Sequence, residues 1–436
     1  MAVGVRQLKV LARALFMAGL VAFGASQAAA AADHGFELFS PETLTLSGDV
    51  RLVGVDGERS WVDDGFGKLR YSGTSGDNAG AFRVLPRLGE IDVVWQPRFG
   101  WALSGTIAAV AQDKGGIEGG LSEAYLSYKP LGGGPVKLSA RAGLMWPPVS
   151  LEHSGADWAV TETITPSAIN SWIGEEVKVI GLEASFATKL GEHELTAIAA
   201  LFDVYDTAGA LLAFRGWALH DVKALAFQSQ PLPKLNEFME YAQPRYSHPI
   251  KEMDGGFFSR PGYYVKLSWQ PPLPVRLEML HYDNGSDPES VNAELEWGWR
   301  TRFDNLGLVA DLSPFTQLRA QAMRGRALMG FEEEGRIWID TRFRSAFALI
   351  TQQLGKGSLS GRVEVFATRH HGSAITSNDD ENGYAATIAV RRSLGEHASV
   401  LVEALRISSK HDARLRDALS SRQVQTQLQG AFRLRW

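Results

Sequence analysis

Between Arg422 and Trp436, apolar or small residues alternate with polar ones almost without a break. Val424, Thr426, Leu428, Gly430, Phe432, Leu434 and Trp436 share one parity; Gln423, Gln425, Gln427, Gln429, Ala431, Arg433 and Arg435 share the other. A period of two belongs to a β-strand with one greasy and one wet face. A strand that ends on an apolar-face aromatic fits the closing strand of a transmembrane barrel, with lipid outside, water inside and the aromatic at the interface. The same alternation runs through Leu44, Leu46, Gly48, Val50 and Leu52 against Thr45, Ser47, Asp49 and Arg51, a half-buried strand. Ile91, Val93 and Trp95 stop at Pro97, and Trp101, Leu103, Gly105, Ile107 and Ala109 resume at once on a return strand.

The rhythm of long loop, strand, tight turn and strand then repeats. Tight turns fall near Pro97, at 130–135, 191–194, 271–274, 313–314, 355–358 and 394–397. Longer connections fall near 55–88, 112–120, 146–176, 203–261, 283–291, 329–335, 371–383 and 410–421, with 292–312 read as one long strand. Seven turns and eight loops predict an all-β fold: a transmembrane antiparallel β-barrel of about 16 strands, with short periplasmic turns and long extracellular loops. No linker breaks the rhythm, so 33–436 reads as a single barrel domain. Trp95, Trp101, Tyr128, Trp269, Trp299, Trp338 and Trp436 sit near the expected strand ends, as an aromatic girdle does.

Composition narrows the picture. Arg6, Lys9 and Arg13 precede an apolar run from Ala14 to Ala25 and then small residues to Ala32. That pattern reads as a signal peptide over 1–32; export together with the barrel pattern implies the outer membrane of a Gram-negative cell. A run this short does not span a bilayer, which needs about 20 apolar residues. With 0 cysteines the chain has no disulfide, thiolate metal site or cysteine nucleophile. A net charge of −5 speaks against nucleic acid as partner. Mean hydropathy is −0.11, which does not argue against a barrel, because alternation hides the lipid face in the average.

Alternation also assigns the lumen. From Arg336 onward, Ile337, Ile339, Thr341, Phe343 and Phe347 are expected to face lipid, leaving Trp338, Asp340, Arg342 and Arg344 inside. On the next strand Leu359, Gly361, Val363 and Val365 face out, and Arg362 and Glu364 face in. With Arg391, Arg433 and Arg435 the C-terminal half offers a basic pore-lining wall: Arg342, Arg344, Arg362, Arg391 and Arg433. The connection 146–176 is acidic, with Glu152, Asp157 and Glu162 and no Lys or Arg. If loops 146–176 and 203–261 fold into the lumen, those carboxylates face the arginines across a narrow aqueous gap, a field that selects by charge.

Covalent chemistry is poorly represented. There is no Gly-x-Ser-x-Gly, His-Glu-x-x-His, P-loop or dinucleotide glycine motif. A barrel hydrolase uses Ser and His on its outer wall, which makes His153-Ser154 and His370-His371 the candidates, but each reads as a solvated loop pair. Glu332-Glu333-Glu334 and Asp379-Asp380-Glu381 lack the spacing of a calcium loop. The expectation is therefore no catalytic residue, no cofactor and no metal.

The run Gly143-Leu144-Met145-Trp146-Pro147-Pro148-Val149-Ser150-Leu151-Glu152, with Thr165-Pro166-Ser167-Ala168-Ile169-Asn170 and Gly181-Leu182-Glu183, resembles the phosphate-selective porin O/P family. The resemblance covers about the middle third of the chain. It implies a homotrimeric porin passing small hydrophilic solutes or ions, embedded in outer-membrane lipid and lipopolysaccharide, with an anion bias from ladder-like arginines. The acidic loop 146–176 departs from that pattern. A substrate-specific channel and an outer-membrane hydrolase are the alternatives.

Overall fold

The computed structural model describes residues 35–72, 82–130, 132, 134–203, 207–248, 260–292, 295–374 and 379–436. The expected signal peptide lies outside them. Sixteen strands form one closed antiparallel barrel. They are β1 (Leu44–Val55), β2 (Arg83–Trp95), β3 (Leu103–Asp113), β4 (Ile117–Tyr128), β5 (Val136–Met145), β6 (Val179–Leu190), β7 (His193–Phe202) and β8 (Gly262–Gln270). The second half is β9 (Val275–Asp283), β10 (Arg300–Ser313), β11 (Thr316–Glu333), β12 (Arg336–Leu354), β13 (Gly357–His370), β14 (Glu381–Ser393), β15 (Ala398–His411) and β16 (Arg422–Arg435). Each strand pairs with its neighbours in sequence, and β16 closes on β1 with Val50 opposite Phe432 and Gly54 opposite Leu428. Closure leaves no unpaired edge in the membrane, where a bare N–H or C=O is costly.

All seven expected tight turns gather at one end, beside the C-terminus. The other end carries the eight remaining connections, two of them shorter than expected: β3 reaches β4 through 114–116, and β11 reaches β12 through 334–335. Strand β10 starts at Arg300 rather than near 292, and 284–292 with 295–299 belongs to the preceding loop. Outward residues form an apolar band: Val363, Val365, Ile388, Val402, Leu306 and Leu428 are all strongly exposed. At the turn end Trp101, Trp269 and Trp436 face outward, and Trp95 stacks on Phe39 at 5.2 Å. Trp299 is not part of this girdle; it is fully buried and packs edge-on against Phe214. No helix of the described residues is long and apolar enough to cross a membrane. A closed barrel with an apolar outer band crosses with its strands, and its place is the outer membrane of a Gram-negative cell.

Candidate functional site: the filled lumen

A barrel of this size encloses far more space than its wall side chains fill. Here three loop-end segments, 56–72, 146–178 and 207–248, fold inward and take up the surplus. The first of these was expected as an outer loop, yet Trp61, Phe66, Lys68 and Leu69 are all buried.

Segment 146–178 carries helix α1 (Ala168–Glu176), every residue of which is buried. Ser167 caps it by accepting from the Asn170 N–H, satisfying one of the donors left free in a first turn. Segment 207–248 carries helix α2 (Ala210–Phe214). It begins after Gly209, whose φ of 101° and close approach to Ala327 and Thr301 on the wall leave no room for a side chain. Between the helices and the wall lies an aromatic cluster. Trp172 meets Phe343 at 5.1 Å, Phe303 at 5.6 Å and Trp217 at 6.1 Å, all near edge-on, the arrangement that aromatic quadrupoles favour. The lumen at this height is a hydrophobic core.

Arg362 of β13 pins α1 to the wall. Its Nε donates to Glu364 at 2.9 Å and its Nη1 to Glu152 at 2.9 Å and to the Thr165 carbonyl at 2.8 Å. Its Nη2 donates to the Pro166 carbonyl at 3.0 Å and to Thr387 Oγ1 at 3.2 Å. Around it three carboxylates meet the approach to the helix. Glu152 accepts from Ser167 N–H (2.9 Å) and Asn170 Nδ2 (2.6 Å), Glu364 from Ala168 N–H (2.7 Å), and Glu403 from Ile164 N–H (2.6 Å) and Thr165 N–H (3.0 Å). Negative groups are stabilised at a helix N-terminus, and one buried guanidinium offsets part of their charge. The expected aqueous gap between acid loop and basic wall is closed here by direct contact.

Segment 207–248 is held in the same way. Arg215 binds Glu175 through two bonds of 2.6 and 2.7 Å, and Lys223 reaches Glu90 at 2.9 Å and Asp92 at 3.0 Å on β2. Asp221 takes Arg51 of β1 at 2.6 Å and Arg70 of the first inserted segment at 2.8 Å. On β16 the inward glutamines form a buried column that also grips the filler: Gln425 accepts from Lys68 N–H at 2.6 Å, and Gln429 donates to Thr165 Oγ1 at 3.1 Å.

The expected site residues divide. Glu162 accepts from Ser358 Oγ at 2.8 Å, Asp157 pairs with Arg435 at 2.8 Å, and Arg433 donates to the Val160 carbonyl at 2.7 Å and sits 3.3 Å from Asp49. Arg391 faces inward near the turn end, half-buried and without an ion pair among the described residues. Arg342 and Arg344 are a correction: they are exposed on the outer wall, while Ile339, Thr341, Phe343, Ser345 and Phe347 face the lumen and are buried. Greasy residues mark the lipid side only when the lumen is wet; in β12 they face inward because the lumen is packed. His153 is no solvated loop residue either: it stacks on Trp158 at 3.6 Å and bonds Ser150 Oγ at 2.8 Å. His370 is bonded to Thr341 Oγ1 at 2.9 Å. Reasoning from loops and arginines missed Arg51, Asp49, Glu90 and Asp92, whose signal was their inward parity on strongly alternating strands.

Glu176, on the inserted helix and outside the spanning strands, joins α1 to α2. Its carboxylate accepts from Trp172 Nε1 (2.7 Å), Gly209 N–H (2.9 Å), Leu211 N–H (3.2 Å) and Ser247 Oγ (2.6 Å). No cation is among these partners, and burial pushes its carboxyl up to about 7. The docked state therefore holds the proton more tightly than the free segment does. That contribution is fully present below the ordinary glutamate range and is lost as pH rises through about 7. Proteolysis of segment 207–248 is expected to be slower at pH 5 than at pH 8, and Glu176→Gln should flatten the difference; an unchanged pH profile in that variant would count against the link.

Below the filler the lumen is open. Along β10, Thr301, Phe303 and Asn305 are buried, Val309 is half-exposed and Asp311 is exposed. Along β6 the same passage runs from Val179 through Ser185 to Lys189. The result is a vestibule at the turn end, with a cavity of about 580 Å³ beside Asp311, Gln317, Arg319 and Thr351. Where the filler meets the vestibule the wall carries both signs: Arg141 with Glu183 at 2.6 Å, and Lys266 and Arg276 with Glu278 at 2.7 and 2.9 Å, while Arg141 and Lys266 also donate to the Trp146 and Pro148 carbonyls of the inserted segment.

No protein-family model matches the sequence, and no curated protein does. Solved structures of similar architecture include in-vitro folded OmpT, an outer membrane protein of Vibrio cholerae, at 9% identity and a TM-score of 0.46, over 92% of this chain and 99% of that one. A mutant porin of Rh. blastica aligns at 8% identity and a TM-score of 0.39, over 90% of this chain and 100% of its own. A bacterial polysaccharide outer membrane secretin aligns at 8% identity and a TM-score of 0.37, over 89% and 98%.

Proposed function

We propose that the protein is a porin-type outer-membrane channel for small hydrophilic solutes or ions, whose passage is gated by its own inserted segments. The observation that carries this reading is the vestibule: a charged, water-accessible half-lumen that ends on a filler made of loops rather than of wall. The filler is fastened by ion pairs and hydrogen bonds from a few wall residues, so it is a separate layer that can shift while the barrel stays closed. Homotrimeric assembly, which the resemblance of 143–183 to phosphate-selective porins implies, belongs to the same reading. No covalent step and no cofactor is part of this reading.

Anion preference follows less readily. With Arg342 and Arg344 outside, Arg362 paired with Glu152 and Glu364, and Arg433 beside Asp49, only Arg391 of the expected basic wall stays inward without an ion pair among the described residues, and the vestibule is of mixed sign. Selectivity should be weak. In planar bilayers the purified protein is expected to give discrete but small and infrequent conductance steps, with a reversal potential near zero in a salt gradient. Absence of any step above the lipid baseline, across voltage and from pH 5 to 8, would remove the channel reading.

A further inference from the structure

The arginines misplaced by alternation lead to a second site. On the outer wall, near the loop end, four successive strands put an arginine at directly opposed positions: Arg302 faces Arg326, Arg326 faces Arg342, and Arg342 faces Arg369. Two residues nearer the turn end, Arg324 faces Arg344. Neighbouring strands lie about 4.8 Å apart, and like charges at opposed positions destabilise a sheet. Local carboxylates relieve only part of this. Asp340 binds Arg326 at 2.6 Å, Asp304 lies 3.4 Å from Arg324, and Asp380 lies 3.4 Å from Arg369. Arg302, Arg342 and Arg344 have no ion pair or side-chain hydrogen bond among the described residues. All of these arginines line one recess of about 660 Å³.

What lies beneath decides the ligand. Two residues below Arg324 and Arg344 the outward positions are Ala322 and Ala346, opposite Leu306 and Val365. They form the top of an apolar groove of about 1100 Å³ on the lipid face, which continues along Leu267, Met279 and Leu308. A basic recess thus stands directly over a hydrophobic trough, at the edge of the membrane band and at the end carrying the long loops.

We propose that this face binds an anionic amphiphile of the outer leaflet, a phosphorylated, multiply acylated glycolipid. Its phosphates are held by Arg302, Arg342 and Arg344, and an acyl chain lies in the groove below. Guanidinium forks match phosphate oxygens two at a time, and the bound anion supplies the countercharge the row lacks. The site is independent of the lumen and of whether the channel opens.

The test uses delipidated full-length barrel in a zwitterionic detergent, titrated with bis-phosphorylated lipid A and followed by native mass spectrometry. One retained glycolipid per chain is expected. The Arg302→Gln/Arg342→Gln/Arg344→Gln variant should bind at least about tenfold more weakly, the loss of one or more charge-assisted bonds. Ala322→Trp, which fills the groove and leaves the arginines, should weaken binding as well. Dephosphorylated lipid A should bind no better to the native protein than the bis-phosphorylated form binds to the triple variant. Displacement by inorganic phosphate at equal concentration would mean that the recess takes a free anion and the groove plays no part, overturning the amphiphile. Equal binding by all variants would overturn the site. So would a change of oligomeric state in the triple variant with lipid binding intact, since the row would then face a second copy of the chain. Heat-dependent migration on gels confirms that each variant is a folded barrel.

Discussion

Arg362→Ala is expected to release segment 146–178 from the wall and raise single-channel conductance severalfold. Removing one partner of a buried ion pair leaves the other charge stranded, at a cost of about 3–5 kcal/mol. Here Glu152 and Glu364 both lose their guanidinium, and the Thr165 and Pro166 carbonyls lose a donor in a site closed to water. The barrel should survive, because none of these bonds belongs to the strand ladder. The variant therefore separates filler from wall: heat-modified gel migration stays native, while conductance steps become larger and longer. Combining Arg362→Met with Glu152→Gln and Glu364→Gln removes the stranded charges, and should restore part of the docking that the single change loses. Unaltered conductance in Arg362→Ala would show that this contact does not hold the gate.

Trp172→Ala is expected to loosen the same layer from its apolar side. Truncating a fully buried tryptophan costs about 3–5 kcal/mol, through lost burial and the cavity left behind. Trp172 is buried against Trp217, Phe303 and Phe343, and its Nε1 also donates to Glu176 at 2.7 Å. Thermal unfolding of the filler, followed by tryptophan fluorescence, should shift to lower temperature, and segments 146–178 and 207–248 should become protease-sensitive. Trp101→Ala, on the exposed turn-end rim, is the control and should leave both readouts in place. Equal behaviour of the two variants would mean that the aromatic cluster does not hold the filler together.

The barrel was legible in the chain because lipid constrains the middle of strands such as β13 and β16: Leu359, Gly361, Val363 and Val365, and Leu428, Gly430 and Phe432, face outward, while Arg362, Glu364, Gln427 and Gln429 face inward. Turn positions were legible for a similar local reason, as Pro97, Pro314 and Gly355 punctuate strands whatever packs inside. The contents of the lumen were not. In β12 both faces carry apolar residues, Ile339, Phe343 and Phe347 on one and Ala346, Ala348 and Ile350 on the other. Parity then cannot say which side is lipid without knowing that Trp172 fills the other. Segment 146–178 meets Arg362, one of the arginines expected to lie opposite it. The nature of their meeting, a sealed contact in place of an aqueous gap, depends on helix α1, whose short run of mixed residues has no helical period strong enough to stand out.

The glutamine column of β16 sets a schedule for making the molecule. The backbone of Lys68, early in the chain, and the side chain of Thr165, near its middle, both rest on side chains from the last fifteen residues. These two contacts can form only once the final strand has zipped against the first, so the filler is complete no earlier than the seam of the barrel.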